Sequence, residues 1–230
     1  MTEPAPAGFY PPALETCRAC PRLARHREEV ARAKRRAYRD ERYWARPVPG
    51  FGDPEARLLL LGLAPGAHGS NRTGRMFTGD ASGDFLFPAL YRGGLASQPD
   101  SRARDDGQRL RGVWITAALR CVPPDNRPLR EELATCRPWL EHDLSRLPGL
   151  RAVLALGGIA HDSYLELLKA RGHRLVKARY PFAHGVCHDL KGAAPMIDVY
   201  HPSQQNTATG RLTEAMFDAV LHDAKAAAGL

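Results

Sequence analysis

Three short segments hold the side chains with the most chemistry. The first is GLAPGAHGSNRTGRMFTGD, residues 62–80. It is dense in glycine, which lets backbone approach a ligand closely. It closes on a single carboxylate, Asp80. Phe77 within it suits either stacking on a flat ligand or filling a core. The segment is no P-loop, since no Gly-Lys-Ser/Thr follows, and no dinucleotide fingerprint, since GxGxxG is absent. The second segment is HPSQQN, residues 201–206. His201 directly follows an apolar run, where an imidazole can hydrogen-bond negative charge developing on a leaving group. A structural His that caps the strand is the plainer alternative. Asn206 offers an amide to base edges or phosphate. The third feature is a set of thiols. Cys17 and Cys20 form a CxxC, and Cys121 and Cys136, with 14 residues between them, lie far down the chain. Five cysteines in a chain that reads as cytosolic argue against a disulfide framework and for a metal or cluster. The spacing leaves both zinc and a four-thiolate [4Fe-4S] site open, because the second pair is no CxxC. Cys187 is left over as a bystander.

Something must bring these segments together. Leu58–Gly62 (LLLLG) is a short, wholly apolar run ending in Gly, which suits a strand buried on both faces of a parallel sheet. Val113–Ala117, Ala152–Leu156 and Met196–Tyr200 read alike. Helical patterns lie at Gly83–Arg92, at Pro128–Leu147 with a break or new start at Pro138, at Ile159–Ala170, and at Thr213–Ala228 with Thr213 as N-cap. Strands alternating with helices predict an α/β fold with helices on both faces of a parallel sheet. Residues 97–111 read as a polar loop, and residues 1–13, rich in Pro and Ala, as a loose N-terminal arm. Residues 14–230 read as a single domain. In such sheets ligands bind at the carboxyl ends of the strands, and residues 62–69, 118–121 and 201–206 run out of such ends.

Composition narrows the partner. The net charge is +8, with 28 Arg against 5 Lys. Arg binds phosphate bidentately and stacks on bases, which Lys does less well. Ten Arg and one Lys against four acids lie between Arg18 and Arg46, a block suited to a polyanion such as DNA. Residues 21–45 read as an exposed or DNA-facing helix. A solvated basic helix in an Arg-favouring genome would show the same composition. No run of about 18 apolar residues occurs, and the start MTEPAPAGFYPP lacks the pattern of a signal peptide, so a cytoplasmic protein with no membrane partner is expected.

These motifs together resemble the uracil-DNA glycosylase superfamily, and most closely its family 5, over roughly residues 10–230. The resemblance rests on GLAPGAHGSNRTGRMFTGD, on TAALRCVPPDN (116–126), on FAHG (182–185) and on HPSQQNTATGRLT (201–213). It implies a three-layer α/β/α sandwich around a four-stranded parallel sheet. It implies base flipping out of DNA and hydrolysis of the bond between base and sugar, by an enzyme that usually acts as a monomer. It implies that Cys17, Cys20, Cys121 and Cys136 hold a [4Fe-4S] cluster. Gly62, Ala64, Phe77, Ala117 and His201 are the expected base-binding residues, and His68, Asn71, Gln204 and Asn206 the expected DNA contacts. Asp80 and His201 are the expected catalytic pair, with capping of the next helix as the alternative role for Asp80. Family 4 has an acid where Leu63 stands and a base-reading Asn where Ala117 stands. Their absence fits family 5 and predicts a pocket open to hydroxymethyluracil, hypoxanthine and ethenocytosine as well as uracil. A non-catalytic DNA-binding module would explain the charge and thiols but not a His and an Asp meeting at one sheet edge. A metal-dependent phosphoesterase would need more carboxylates in these loops.

Overall fold

The four apolar runs become adjacent strands because each carries only side chains that can be covered from both sides. The computed structural model describes residues 9–230. Its elements are α1 (Ala13–Thr16), α2 (Pro21–Ala33), β1 (Phe51–Gly52), β2 (Leu58–Gly62), α3 (Ser70–Thr73), α4 (Ala81–Arg92), β3 (Val113–Ala117), α5 (Arg130–Ser145), β4 (Ala152–Leu156), α6 (Gly158–Ala170), β5 (Cys187–His188), β6 (Met196–Val199), α7 (Gln204–Ala208) and α8 (Glu214–Ala228). The sheet order is β1-β3-β2-β4-β6-β5. The inner four strands are parallel, with Leu58 beside Val113 and Ala152, and Val153 beside Met196. The sheet therefore has six strands where the sequence suggested four. The two extra strands are antiparallel edges of two residues each, too short to leave any periodicity.

Alternation along β2 splits the core in two. Leu58 and Leu60 face α4 and α8, meeting Leu86, Leu90, Phe217 and Val220. Leu59 and Leu61 face the other layer, meeting Leu140 of α5 and Tyr164, Leu165 and Leu168 of α6. This is the expected three-layer sandwich. The helix after β2 lies on one face and the helix after β4 on the other, so a crevice opens between the carboxyl ends of these neighbouring strands. No helix among the described residues is long and apolar enough to cross a membrane.

Several local expectations change. The Arg-rich helix stops at Ala33 rather than near residue 45, because Lys34 takes a positive φ of 49° that no α-helix continues. Beyond a single turn at Arg36–Tyr38 the segment runs irregularly to β1. Helix α5 runs through Pro138 without a break. The carbonyl that Pro138 leaves without a donor belongs to Ala134, and both residues are exposed, so water can take the lost bond. Thr213 caps α8 as expected, accepting from the Met216 N–H at 3.2 Å. Of the expected N-terminal arm, residues 1–8 lie outside the described residues. Within the rest, Phe9 is buried and stacks on Trp114 at 4.2 Å, and just beyond the arm Leu14 is buried in α1.

Candidate active site

The site forms where β2 and β4 end. Gly62, the last residue of β2, lies beneath the ring of Phe77: a Cβ on Gly62 would sit 2.8 Å from Phe77 Cζ. The ring can cover the strand end only because residue 62 has no side chain. Phe77 itself takes a φ of +51°, strain that its packing must hold. Gly83, in the first turn of α4, meets the Phe77 carbonyl so closely that a Cβ would lie 2.0 Å from its oxygen. The start of α4 and the aromatic platform are thus locked together.

Asp80 stands between them and performs the capping role in full. Its Oδ1 accepts from the N–H groups of Ser82 at 3.1 Å and Gly83 at 3.2 Å. Its Oδ2 accepts nothing from a described residue and faces Gly66 and Gly69. A Cβ on Gly69 would lie 1.8 Å from that oxygen, and one on Gly66 2.6 Å. The glycines of the first motif clear space for a carboxylate. Burial pushes the Asp80 carboxyl above its ordinary range, opposed by the two capping N–H groups. One oxygen holds the helix and the other faces the glycines of the loop.

His201 stands across the platform, its ring 6.0 Å from that of Phe77 at an interplanar angle of 30°. Its Cβ would be 3.2 Å from a Cβ on Gly157, the residue after β4, which has φ +93°. No described residue hydrogen-bonds its ring. Burial pushes its pKa down to about 4, so the imidazole is neutral at pH 7 and its N–H is free to donate. The backbone of His201 is held by Asn206, whose Nδ2 donates to the His201 carbonyl at 2.9 Å.

The remaining expected residues divide. Ala117 is buried beside Gly62 at the end of β3 and brings no polar group. Ala64 packs against Leu23, Leu119 and Cys136, on the thiol side of the loop. Of the four residues expected on DNA, Gln204 alone is exposed, and Asn206 donates its Nδ2 to the His201 carbonyl. Asn71 is 1% exposed and donates to the Arg27 carbonyl at 3.2 Å, which makes it an internal strut. His68 is partly buried, with Nδ1 3.0 Å from the Tyr43 hydroxyl.

Sequence reading missed the parts that hold the site. Arg72 donates from Nε to the His68 carbonyl at 2.7 Å and from Nη2 to the Gly79 carbonyl at 2.9 Å, and it pairs with Glu41. It staples both ends of the loop that delivers Asp80. Arg75 is buried on Thr78, Ser101 and Asp106, which fastens the 97–111 loop to the same motif. Two arginines in a glycine-rich loop were the available signal. A second cluster, His161, His188 and Asp198, is wholly buried. Asp198 accepts from His161 Nδ1 at 2.8 Å, His188 Nε2 at 2.9 Å and the Ala183 N–H at 3.2 Å. In the same FAHG segment, His184 Nδ1 accepts from the Tyr200 N–H at 3.2 Å. FAHG therefore supports the strand that presents His201.

Cys17, Cys20, Cys121 and Cys136 line one recess between α1, the start of α2, the end of β3 and α5, and Cys187 is exposed in β5 away from it. Arg27 Nη1 donates to Cys121 Sγ at 2.9 Å, and the Arg120 N–H to Cys136 Sγ at 3.3 Å. Burial raises the thiol pKa of Cys20 and Cys121, and pushes that of Cys136 up to about 12. Buried nitrogens at the recess have no acceptor among the described residues: Nε of Arg27, and Nε and Nη1 of Arg120.

A mostly parallel α/β sheet brings a carboxylate, a neutral imidazole and an aromatic ring to the carboxyl ends of its inner strands. The profile of the uracil DNA glycosylase superfamily matches residues 49–225. A type-5 uracil-DNA glycosylase of Thermus thermophilus is 56% identical over 94% of this chain and 96% of its own. One from Mycobacterium leprae is 51% identical over 94% and 93%, and one from Pyrobaculum aerophilum 44% identical over 97% and 96%. The chain belongs to the uracil DNA glycosylase superfamily, in its type-5 branch.

Proposed function

We propose that the protein removes uracil, and other deaminated or damaged bases, from DNA by hydrolysing the N-glycosidic bond, leaving an abasic site. The observation that carries this reading is the neutral His201 and the one-sided Asp80 flanking Phe77 at the ends of β2 and β4. The damaged nucleotide flips out of the stack and its base lies against Phe77. The C1′–N bond breaks with its electron pair passing to the base, and positive charge spreads over the sugar. His201 donates an N–H to a base carbonyl and stabilises the departing anion, which a preorganised donor in a dry site does well. Asp80 Oδ2 lies beside Gly66 and Gly69. There it orients water, whose oxygen bonds C1′, or offsets the sugar's charge. The water's proton passes to the carboxylate or to solvent. With Leu63 and Ala117 apolar, few polar groups reject an alternative base, which supports breadth beyond uracil.

The thiol recess fits a [4Fe-4S] cluster. Four convergent sulfurs, two donors already aimed at them, and unsatisfied buried guanidinium N–H groups suit an anionic guest whose sulfides also accept hydrogen bonds. Cys17, Cys20, Cys121 and Cys136 would hold it, and when bound it supplies a covalent cross-link between the N-terminal CxxC, the β3 loop and α5. The Arg-rich stretch beside it faces the flanking phosphates. The protein acts on DNA as a cytoplasmic monomer. Single-turnover excision from a U·G duplex tests the assignment of roles. His201→Ala loses an order of magnitude or more with DNA binding intact. An unchanged rate would remove His201 from the reaction.

A further inference from the structure

We infer that Arg27 is the counter-cation and hydrogen-bond donor of the group held by Cys17, Cys20, Cys121 and Cys136, and that it sets how firmly that group is kept. The inference rests on the cluster reading above. Arg27 sits in α2 with its side chain 3% exposed. Its nearest carboxylate oxygen, on Glu28, is 4.0 Å away, and Glu28 is itself engaged by Arg18. Arg27 reaches the recess in two places, donating from Nη1 to Cys121 Sγ at 2.9 Å and from Nη2 to the Cys17 carbonyl at 3.1 Å. Its Nε is buried without an acceptor among the described residues. Arg120 on the far wall is different, because Asp143 matches its charge within the protein.

A buried cation without a close counter-ion is unfavourable, and four neutral thiols do not relieve it. Four thiolates around [4Fe-4S]2+ carry a net charge of 2−. Such a guest neutralises Arg27 and gives its free N–H an acceptor. Partners of this kind around metal ligands govern metal retention, and hydrogen bonds to cluster sulfurs raise the reduction potential. Arg27 also anchors the recess to the site, since its carbonyl accepts from Asn71 in the loop that carries Asp80.

The test compares wild type, R27K, R27M and R22M, each as the full chain purified anaerobically. Arg22 lies on the same helix, is partly exposed and pairs with the buried Glu132, so R22M controls for general loosening of α2. The readouts are iron and sulfide per chain, the half-life of the absorbance near 400 nm in EDTA, and the midpoint in a mediated dithionite titration. R27M should lose its absorbance about tenfold faster or more and titrate at a more negative midpoint. R27K, which keeps the charge without the fork, should fall between. R22M should keep the wild-type midpoint. An R27M chain that emerges without iron beside an iron-loaded R27K supports the inference as well. A loaded R27M with wild-type half-life and midpoint overturns it, as does an equal midpoint shift in R22M. Wild type carrying zinc and no iron overturns the cluster reading and this inference with it.

Discussion

The protonation state of His201 has a consequence for rate that is large and easily read. Its pKa is pushed down to about 4 from an ordinary 6.5 by burial. That gap disfavours the imidazolium by about 3 kcal/mol, an upper figure because the ring keeps some exposure. At pH 7 only about one molecule in a thousand carries the cation. The leaving base must therefore be met by a neutral N–H donor. Removing such a donor typically costs about 10²–10³ in rate. Single-turnover excision from a U·G duplex should be level between about pH 6.5 and 8.5, and His201→Ala should be level too, at a rate lower by that factor. A reaction that needed the imidazolium would slow about tenfold per pH unit over the same range. A slope of that kind in wild type that vanished in His201→Ala would refute the neutral-donor mechanism. Stability carries the same signature. The folded pKa lies below the unfolded one, so the neutral ring's contribution is complete above pH 6.5 and is lost as pH falls towards 4. His201→Ala should therefore destabilise less at pH 5 than at pH 7 in urea titrations.

The remaining predictions concern the carboxylate and the thiols. Asp80→Asn keeps an oxygen to cap α4 and removes a buried charge, so its melting temperature should match or exceed wild type while excision slows; a normal rate would leave Asp80 as a cap alone. Asp80→Ala loses the cap as well, and should lose about 0.5–2 kcal/mol in urea unfolding besides the rate. Gly69→Ala puts a methyl against Asp80 Oδ2; excision should fall as far as in Asp80→Asn, and an unaffected rate would show that this oxygen has no part in the reaction. Cys136→Ser should lose iron and absorbance near 400 nm together, and a variant that keeps both would remove Cys136 from the ligand set.

The inner sheet was legible because LLLLG, VWITA, AVLAL and MIDVY have no polar face to place in water, apart from Thr116 and Asp198. Asp198 was the exception worth noticing. A buried carboxylate in mid-strand needs donors, and His161 and His188 supply them. Sequence spacing does not show this, because the partners come from α6 and β5. The two edge strands were unreadable at two residues each. The glycines at 66, 69 and 83 were visible as letters, but their reason is steric contact with Asp80 and Phe77, which only the packed loop reveals. The internal partners of the loops' polar residues were not legible. Asn71, His68 and Asn206 looked free for DNA, yet each has a partner inside the protein, because a tight loop needs side chains to satisfy its own backbone.

Release of free uracil from a labelled U·G duplex in excess EDTA tests the account most directly. Uracil should be the product, with an intact backbone bearing an abasic site and no loss of rate from the chelator at early times. Backbone cleavage that fails in EDTA, or binding with no base released, would contradict it.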